Sequence, residues 1–377
     1  MNKVQAVIAP PVAWLYQRAA KPLLFRQDPE LVHDRTGDLA IMFGRHAATR
    51  LVVEMAMSYR SPLLVQSIKG ISFANPIGLS AGFDKNALQT EFMPALGFGF
   101  MEVGSITGQP CAGNDKPRLQ RLLKSKSILV HYGLRNDGAE VISTRLKGRS
   151  FKIPVGTNIA KTNNQATTDD QVGIADYVKA FKAMSKVGAF FTVNVSCPNT
   201  YGGQPFHDPQ RLEDLLAALD SIPTKKPVFV KLSPDLSDGQ IDAIVFIADR
   251  HRVDGFICSN LTKDRQNPNI LDVNLNQNGG LSGKVVEELS NLLIAKLYRK
   301  TAGKYVIVGV GGVFTAADAY RKIRLGASLI ELITGMIFQG PQLIGQINRG
   351  LVELLKRDGF SNIAEAVGVD NPLKSFE

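Results

Sequence analysis

Long apolar runs are missing from this chain of 377 residues. With no stretch of about 20 consecutive apolar residues, no helix is expected to span a bilayer. The start lacks a charged region followed by a clean apolar core and a small-residue cleavage site, so no secretory signal is read there. Cysteine is scarce: Cys111, Cys197 and Cys258 are widely spaced and odd in number. They make no C-x-x-C pair and imply no disulfide framework, which favours a reducing compartment over structural zinc. The histidines are scattered (His33, His46, His131, His207, His251), and no metal site is expected. Clustered positive charge is also absent. The formal net charge is +10, but Lys and Arg are spread along the chain without a polybasic block. That favours anionic small molecules or an anionic membrane surface over nucleic acid. There is no Walker-A lysine and no strand–GxGxxG–helix unit, which argues against P-loop and Rossmann sites.

What is present falls into two parts. Residues 1 to about 65 read as a helical module of two short amphipathic helices. Val12, Leu15, Tyr16, Ala19 and Leu23 sit at helical spacing. Asp28-Pro29-Glu30 reads as an N-cap, a proline at the first helical position and an acidic first turn. Apolar faces with basic flanks suit packing on a main domain or lying on a membrane surface. From residue 66 to 377 the pattern changes to short apolar runs, each followed by a helical segment. Eight runs stand at 77–82, 100–106, 154–160, 190–196, 228–233, 255–260, 306–312 and 329–335. They are continuously apolar, as strands buried on both faces are. Eight βα units in about 300 residues predict an α/β fold, a (β/α)8 TIM barrel with an N-terminal helical extension. A doubly wound open sheet is the rival.

Barrel enzymes carry their chemistry on the C-terminal ends of the strands. Here those ends are polar: Ala81-Gly82-Phe83-Asp84-Lys85, Asn158, Asn194 with Cys197 and Asn199, Lys231, and Ser259-Asn260. A lone Asn after a strand is a turn residue, but four Asn and two Lys at separate strand ends make a site. Cys197, between two amides where a buried strand meets a loop, is a candidate base against a flat polar substrate. The last two strands end in Gly311-Gly312 and Thr334-Gly335, which suit a phosphate cradle at the usual barrel position. Gly279-Gly280-Leu281-Ser282-Gly283 adds a flexible loop. Cradle, lysines, amides and one thiol fit a phosphorylated cofactor such as FMN, with a lysine near the electron-rich edge of the flavin.

At these residues the chain resembles the dihydroorotate dehydrogenases, FMN enzymes of pyrimidine biosynthesis. The motifs NPIGLSAGFDKN (75–86), GNDKPRLQRL (113–122), NVSCPNT (194–200), GGLSGK (279–284), VGVGG (308–312) and GASLIELITG (326–335) carry it. DPELVHD (28–34) is similar to the membrane-associated, quinone-dependent class, in which the N-terminal segment forms a quinone tunnel. The resemblance implies an FMN site at Ala81, Gly82, Ser105, Asn158, Asn194, Lys231, Ser259, Gly283, Gly312, Thr334 and Gly335. It implies a substrate site at Lys85, Asn194, Asn199 and Asn260 with backbone donors at Gly133 and Leu134, and Cys197 as the catalytic base. His33 and Arg121 would line the quinone site. The protein would be peripheral, at the cytoplasmic face of a bacterial inner membrane.

Three positions depart from that pattern. The membrane class has Ser as its base, whereas Cys197 is the mark of the soluble class, and a thiol near 8.5 is more acidic than a hydroxyl. Val130 stands where the family places a substrate-binding Asn. Leu261 stands where it has Ser or Thr. These departures motivate an alternative: the same flavin chemistry on another cyclic amide or an unsaturated carboxylate in a specialised pathway. A non-catalytic, membrane-docked barrel is a third reading, opposed by Lys85, Cys197 and the glycine cradle.

Overall fold

A computed structural model describes residues 2–373, so Met1 and positions 374–377 of the expected second unit lie outside it. Eight parallel strands close into a barrel in chain order. They are β1 Ile77–Leu79, β2 Phe100–Ile106, β3 Val155–Ile159, β4 Phe190–Asn194, β5 Val228–Leu232, β6 Gly255–Cys258, β7 Val306–Val310 and β8 Leu329–Leu332. Each falls within one of the eight apolar runs. Most residues in these strands are buried, which is why the runs are continuous rather than alternating.

The bottom of the barrel is sealed by Phe73, Phe100, Phe190 and Phe229 with Ile257, Val308 and Leu329. Phe73 meets Phe100, and Phe190 meets Phe229, each edge-on at 5.5 Å between centroids. Phe73 ends a hairpin, Gln66–Ile68 paired with Ile71–Phe73, that closes the base. Its two turn residues, Lys69 and Gly70, both have positive φ, matching the tight turn that right-twisted strands prefer. Phe190→Ala would open a cavity in this plug at a cost of about 3–5 kcal/mol.

Strand register brings the polar residues together at the other end. Asn194 pairs with Lys231 across β4 and β5, and Asn158 pairs with Thr192 across β3 and β4. A three-stranded antiparallel sheet of Leu119–Leu122, Ser127–Val130 and Gly280–Gly283 stands over this end.

The N-terminal helices differ from the two short ones expected. α1 Asn2–Leu15 continues through a π turn, Tyr16–Ala20, into α2 Lys21–Phe25. α3 Pro29–Gly44 and α4 Ala47–Met57 follow. Pro10 and Pro11 lie inside α1, so composition alone would have broken it. The Asp28 signal holds: its carboxylate accepts from the Leu31 N–H at 2.8 Å, with Pro29 opening α3. This array leaves Val7, Trp14, Leu15, Leu23, Leu39, Met42, Phe43, Leu51 and Val52 exposed.

Candidate active site

A cavity of about 630 Å³ runs from the strand ends to the N-terminal helices. Every residue expected to hold flavin, substrate or quinone, and Cys197, lies on its wall except Asn158, which is buried one layer behind. Asn158 reaches the cavity through a relay. Its Oδ1 accepts from Ser105 Oγ, and Ser105 Oγ accepts from Asn194 Nδ2 at 2.9 Å. Asn194 Oδ1 accepts from Asn260 Nδ2 at 3.1 Å, which also donates to Ser196 Oγ at 3.0 Å. The amides from β3, β4 and β6 therefore form one network. Asn199 donates to the Val130 carbonyl at 2.9 Å and keeps a buried Oδ1 with no partner. A buried amide oxygen left unpaired is costly, so it marks a place for a ligand donor. The N–H groups of Gly133 and Leu134 make no hydrogen bond among the described residues.

Lys85 lies on the cavity wall with its Nζ 3.1 Å from His33 Nε2 and 4.0 Å above the Tyr132 ring. Burial pushes its pKa down to about 8, aided by Arg135 and opposed by Asp34 and Glu30. Burial and the Lys85 charge push His33 down to about 3. His33 is thus neutral at pH 7 and accepts from Lys85. Cys197 sits at the mouth of β4. Burial pushes its thiol up to about 11, although the Asn199 N–H and Lys263 favour the thiolate. Burial therefore outweighs the donors that favour the thiolate and holds the sulfur above the ordinary thiol value.

The cradle is built by close approach. Gly311 and Gly312 follow β7, and their N–H groups make no hydrogen bond among the described residues. Gly312 has φ +73°, and a Cβ there would lie 2.3 Å from that of Glu287, so only glycine fits. Thr334 Oγ1 lies 2.9 Å from Ser282 Oγ, tying the cradle to the Gly280–Gly283 strand. Across the cavity, Gly82 has φ +105°, and a Cβ there would meet nothing within 4 Å. A side chain would project into space that a flat ring can occupy. Free N–H groups, an open glycine floor and an amide wall fit a phosphorylated flavin.

Towards the helices the lining turns apolar: Leu24, Phe25, Val32, Leu39, Phe43 and Val53. Arg121 stands at this end, donating to the Gln27 carbonyl at 2.7 Å with its guanidinium 4.7 Å from the Phe25 ring. Tyr16 donates to the Ile337 carbonyl. Val130 packs in the same apolar cluster, with Ile128, Phe314, Phe338 and Phe25.

Sequence reasoning missed Glu102 and Glu331, two carboxylates fully buried beside Lys231. An acid inside an otherwise apolar strand (FMEVGSI, LIEL) was the available signal. Tyr132, beneath Lys85, carried no signal: it is a single aromatic in the loop that follows the Ser127–Val130 strand.

Residues 63–355 match the family described as Dihydroorotate dehydrogenase. A protein named dihydroorotate dehydrogenase (quinone) from Gloeobacter violaceus is 40% identical over 356 residues, covering 93% of this chain and 98% of the relative. Its namesake from Natronomonas pharaonis is 38% identical, covering 94% and 99%. The crystal structure of DHODH from Eimeria tenella in complex with ferulenol superposes with a TM-score of 0.82 at 30% identity, covering 91% of this chain and 96% of that one. The chain belongs to the dihydroorotate dehydrogenase family of flavin-dependent oxidoreductases.

Proposed function

We propose that this protein oxidises dihydroorotate to orotate with FMN as its cofactor and a membrane quinone as electron acceptor. The observation that carries this is the single cavity, polar and amide-lined at the barrel and apolar at the helices. One end suits a planar anionic amide and the other a lipid-soluble ring, with room for a cofactor between.

Bound FMN would supply a two-electron acceptor that couples substrate oxidation to quinone reduction. Gly312, Gly283, Thr334 and Gly335 would hold its phosphate. Ala81, Gly82, Ser105, Asn158, Asn194, Lys231 and Ser259 would hold the ring. Lys85 and the Gly133 and Leu134 N–H groups would bind the substrate carboxylate, and Asn194, Asn199 and Asn260 its ring amides. Cys197, as thiolate, would take the proton from the substrate carbon. His33, Arg121 and the apolar lining would receive the quinone.

The exposed apolar side chains of α1 to α4, among Lys3, Arg18, Lys21 and Arg45, suit docking on an anionic membrane surface. No helix among the described residues is long and apolar enough to cross a membrane. Residues 1–65 would form the acceptor module and 66–377 the catalytic barrel.

Anaerobic enzyme mixed with dihydroorotate should lose its flavin absorbance, and a short-chain quinone should restore it. Cofactor released by acid should have the mass of FMN. No bleaching, or FAD in place of FMN, would overturn the reading. Val130 and Leu261 favour one second reading, a substrate with fewer polar atoms on that edge. A bleaching screen across cyclic amides and unsaturated carboxylates separates the two.

A further inference from the structure

Three ionisable side chains meet beneath the cavity. Lys231 Nζ, from β5, lies 3.9 Å from Glu102 Oε2 on β2 and 4.0 Å from Glu331 Oε2 on β8. Both carboxyl groups are fully buried. Two carboxylates around one ammonium leave a net negative charge in a water-free interior, which is costly.

Their surroundings break the tie. Glu102 accepts from Thr192 Oγ1 on one oxygen and from Asn158 Nδ2 at 3.1 Å on the other. Among the described residues Glu331 has no hydrogen-bond partner on either oxygen. The other groups around it change little. Ser80, after β1, accepts from Lys231 at 3.1 Å; the Lys231 charge and then Ser80 favour the ionised form of Glu331, behind the two causes that oppose it. β6 carries only the Cys258 thiol, which burial keeps protonated, and β7 carries no titratable side chain. Desolvation and the Glu102 charge both push Glu331 upward.

We propose that Glu331 is held as the neutral acid and acts as a positioning residue. Its proton leaves one carboxylate, Glu102, against one ammonium, Lys231, so the cluster is neutral beneath the flavin rather than overbalanced towards negative charge. Were Glu331 ionised, the cluster would carry a net negative charge beside a ring that must accept electrons. Glu331 is also the reserve anion. If Glu102 loses its charge, Glu331 releases its proton and pairs with Lys231. This rests on the flavin reading of the cavity, but its first test does not need the cofactor.

Infrared difference spectra of the apoprotein at pH 7, wild type minus Glu331→Gln, should show the carbonyl band of an un-ionised acid. Labelling the wild-type chain with carboxyl-13C glutamate should shift that band, which assigns it to a glutamate, and Glu331→Asp should move rather than remove it if Glu331→Gln folds poorly. Carboxylate bands alone overturn the proposal. In Glu102→Gln the acid band should vanish; if it persists, Glu331 is uncoupled from Lys231 and the proposal falls. In the flavin-loaded protein, Glu331→Gln should leave the two-electron reduction equilibrium within tenfold of wild type, about 30 mV in midpoint potential. A larger rise means that the substitution removed a real negative charge, and overturns it. A protein that binds no flavin yet shows the acid band fails the functional reading and keeps the buried acid.

Discussion

The pH dependence of substrate oxidation tests the site most sharply, because two groups on the cavity wall are displaced in opposite directions. Cys197 works as a base only when deprotonated, and burial pushes its thiol up to about 11. Lys85 binds an anion only when protonated, and burial pushes it down to about 8. The value of kcat/KM follows the free enzyme, so it is proportional to the fraction with thiolate and ammonium together. Below pH 8 the ammonium is complete and the thiolate grows with pH, so kcat/KM rises about tenfold per unit. Between pH 8 and 11 the thiolate still grows while the ammonium declines at the same rate, so the profile is flat. In the bound complex the substrate carboxylate restores the Lys85 charge, so kcat goes on rising past pH 8. An unperturbed pair, near 8.5 and 10.4, would instead place the plateau between those values.

Lys85→Arg assigns the lower break. Arginine stays charged across this range, so its kcat/KM should keep rising about tenfold per unit from pH 8 to 10, a gain of about 100-fold where wild type is level. The assay is anaerobic stopped-flow bleaching of the flavin at limiting and saturating substrate. A break at pH 8 that survives Lys85→Arg would refute the assignment of Lys85. A break near 8.5 that follows Cys197, seen equally in the rate of thiol alkylation, would refute the desolvated thiol.

Cys197→Ala should abolish substrate-driven bleaching without loss of bound flavin, and Cys197→Ser should move the rising limb to higher pH; retained rates in the Ala variant at neutral pH would remove Cys197 from the mechanism. Deleting the N-terminal helices should spare bleaching by substrate and slow reoxidation by quinone at least tenfold, and unchanged reoxidation would make them packing elements only. Val130→Asn should lower KM for dihydroorotate by about fivefold, one neutral hydrogen bond's worth of about 1 kcal/mol, at a stability cost of about 1 kcal/mol visible as a lower Tm, because Val130 packs among Ile128, Phe314 and Phe338. An unchanged KM would show that the Val130 edge does not face the substrate.

The barrel was legible because each strand is buried on both faces and announces itself as a continuous apolar run, whichever neighbour it pairs with. The helix starting at Pro29 was legible for a local reason, the Asp28 cap. The continuous rod from Asn2 to Phe25 was not. Pro10 and Pro11 break a helix by propensity, whereas α1 is held by packing against α4, and that contact has no local signature. The hairpin at Gln66–Phe73 was also missed, because two strands of three residues are too short to show a period.

The site divides along the same line. Groups presented to a ligand stand at strand ends in types that strands otherwise avoid (Asn194, Cys197, Asn260), so their oddness can be read one residue at a time. Electrostatic character belongs to sets of residues. Lys85 and His33 are 52 positions apart and meet only because α3 crosses the strand ends. Burial lowers both pKa values, and the Lys85 charge lowers that of His33 further. Glu102 and Glu331 are ordinary letters in their strands, and only barrel closure puts them around one lysine. A sequence therefore shows which residues face the cavity before it shows which of them are charged. The chemistry proposed to depend on protonation, a base at Cys197, an anion site at Lys85 and the field at Lys231, is written in burial and in pairings across the barrel.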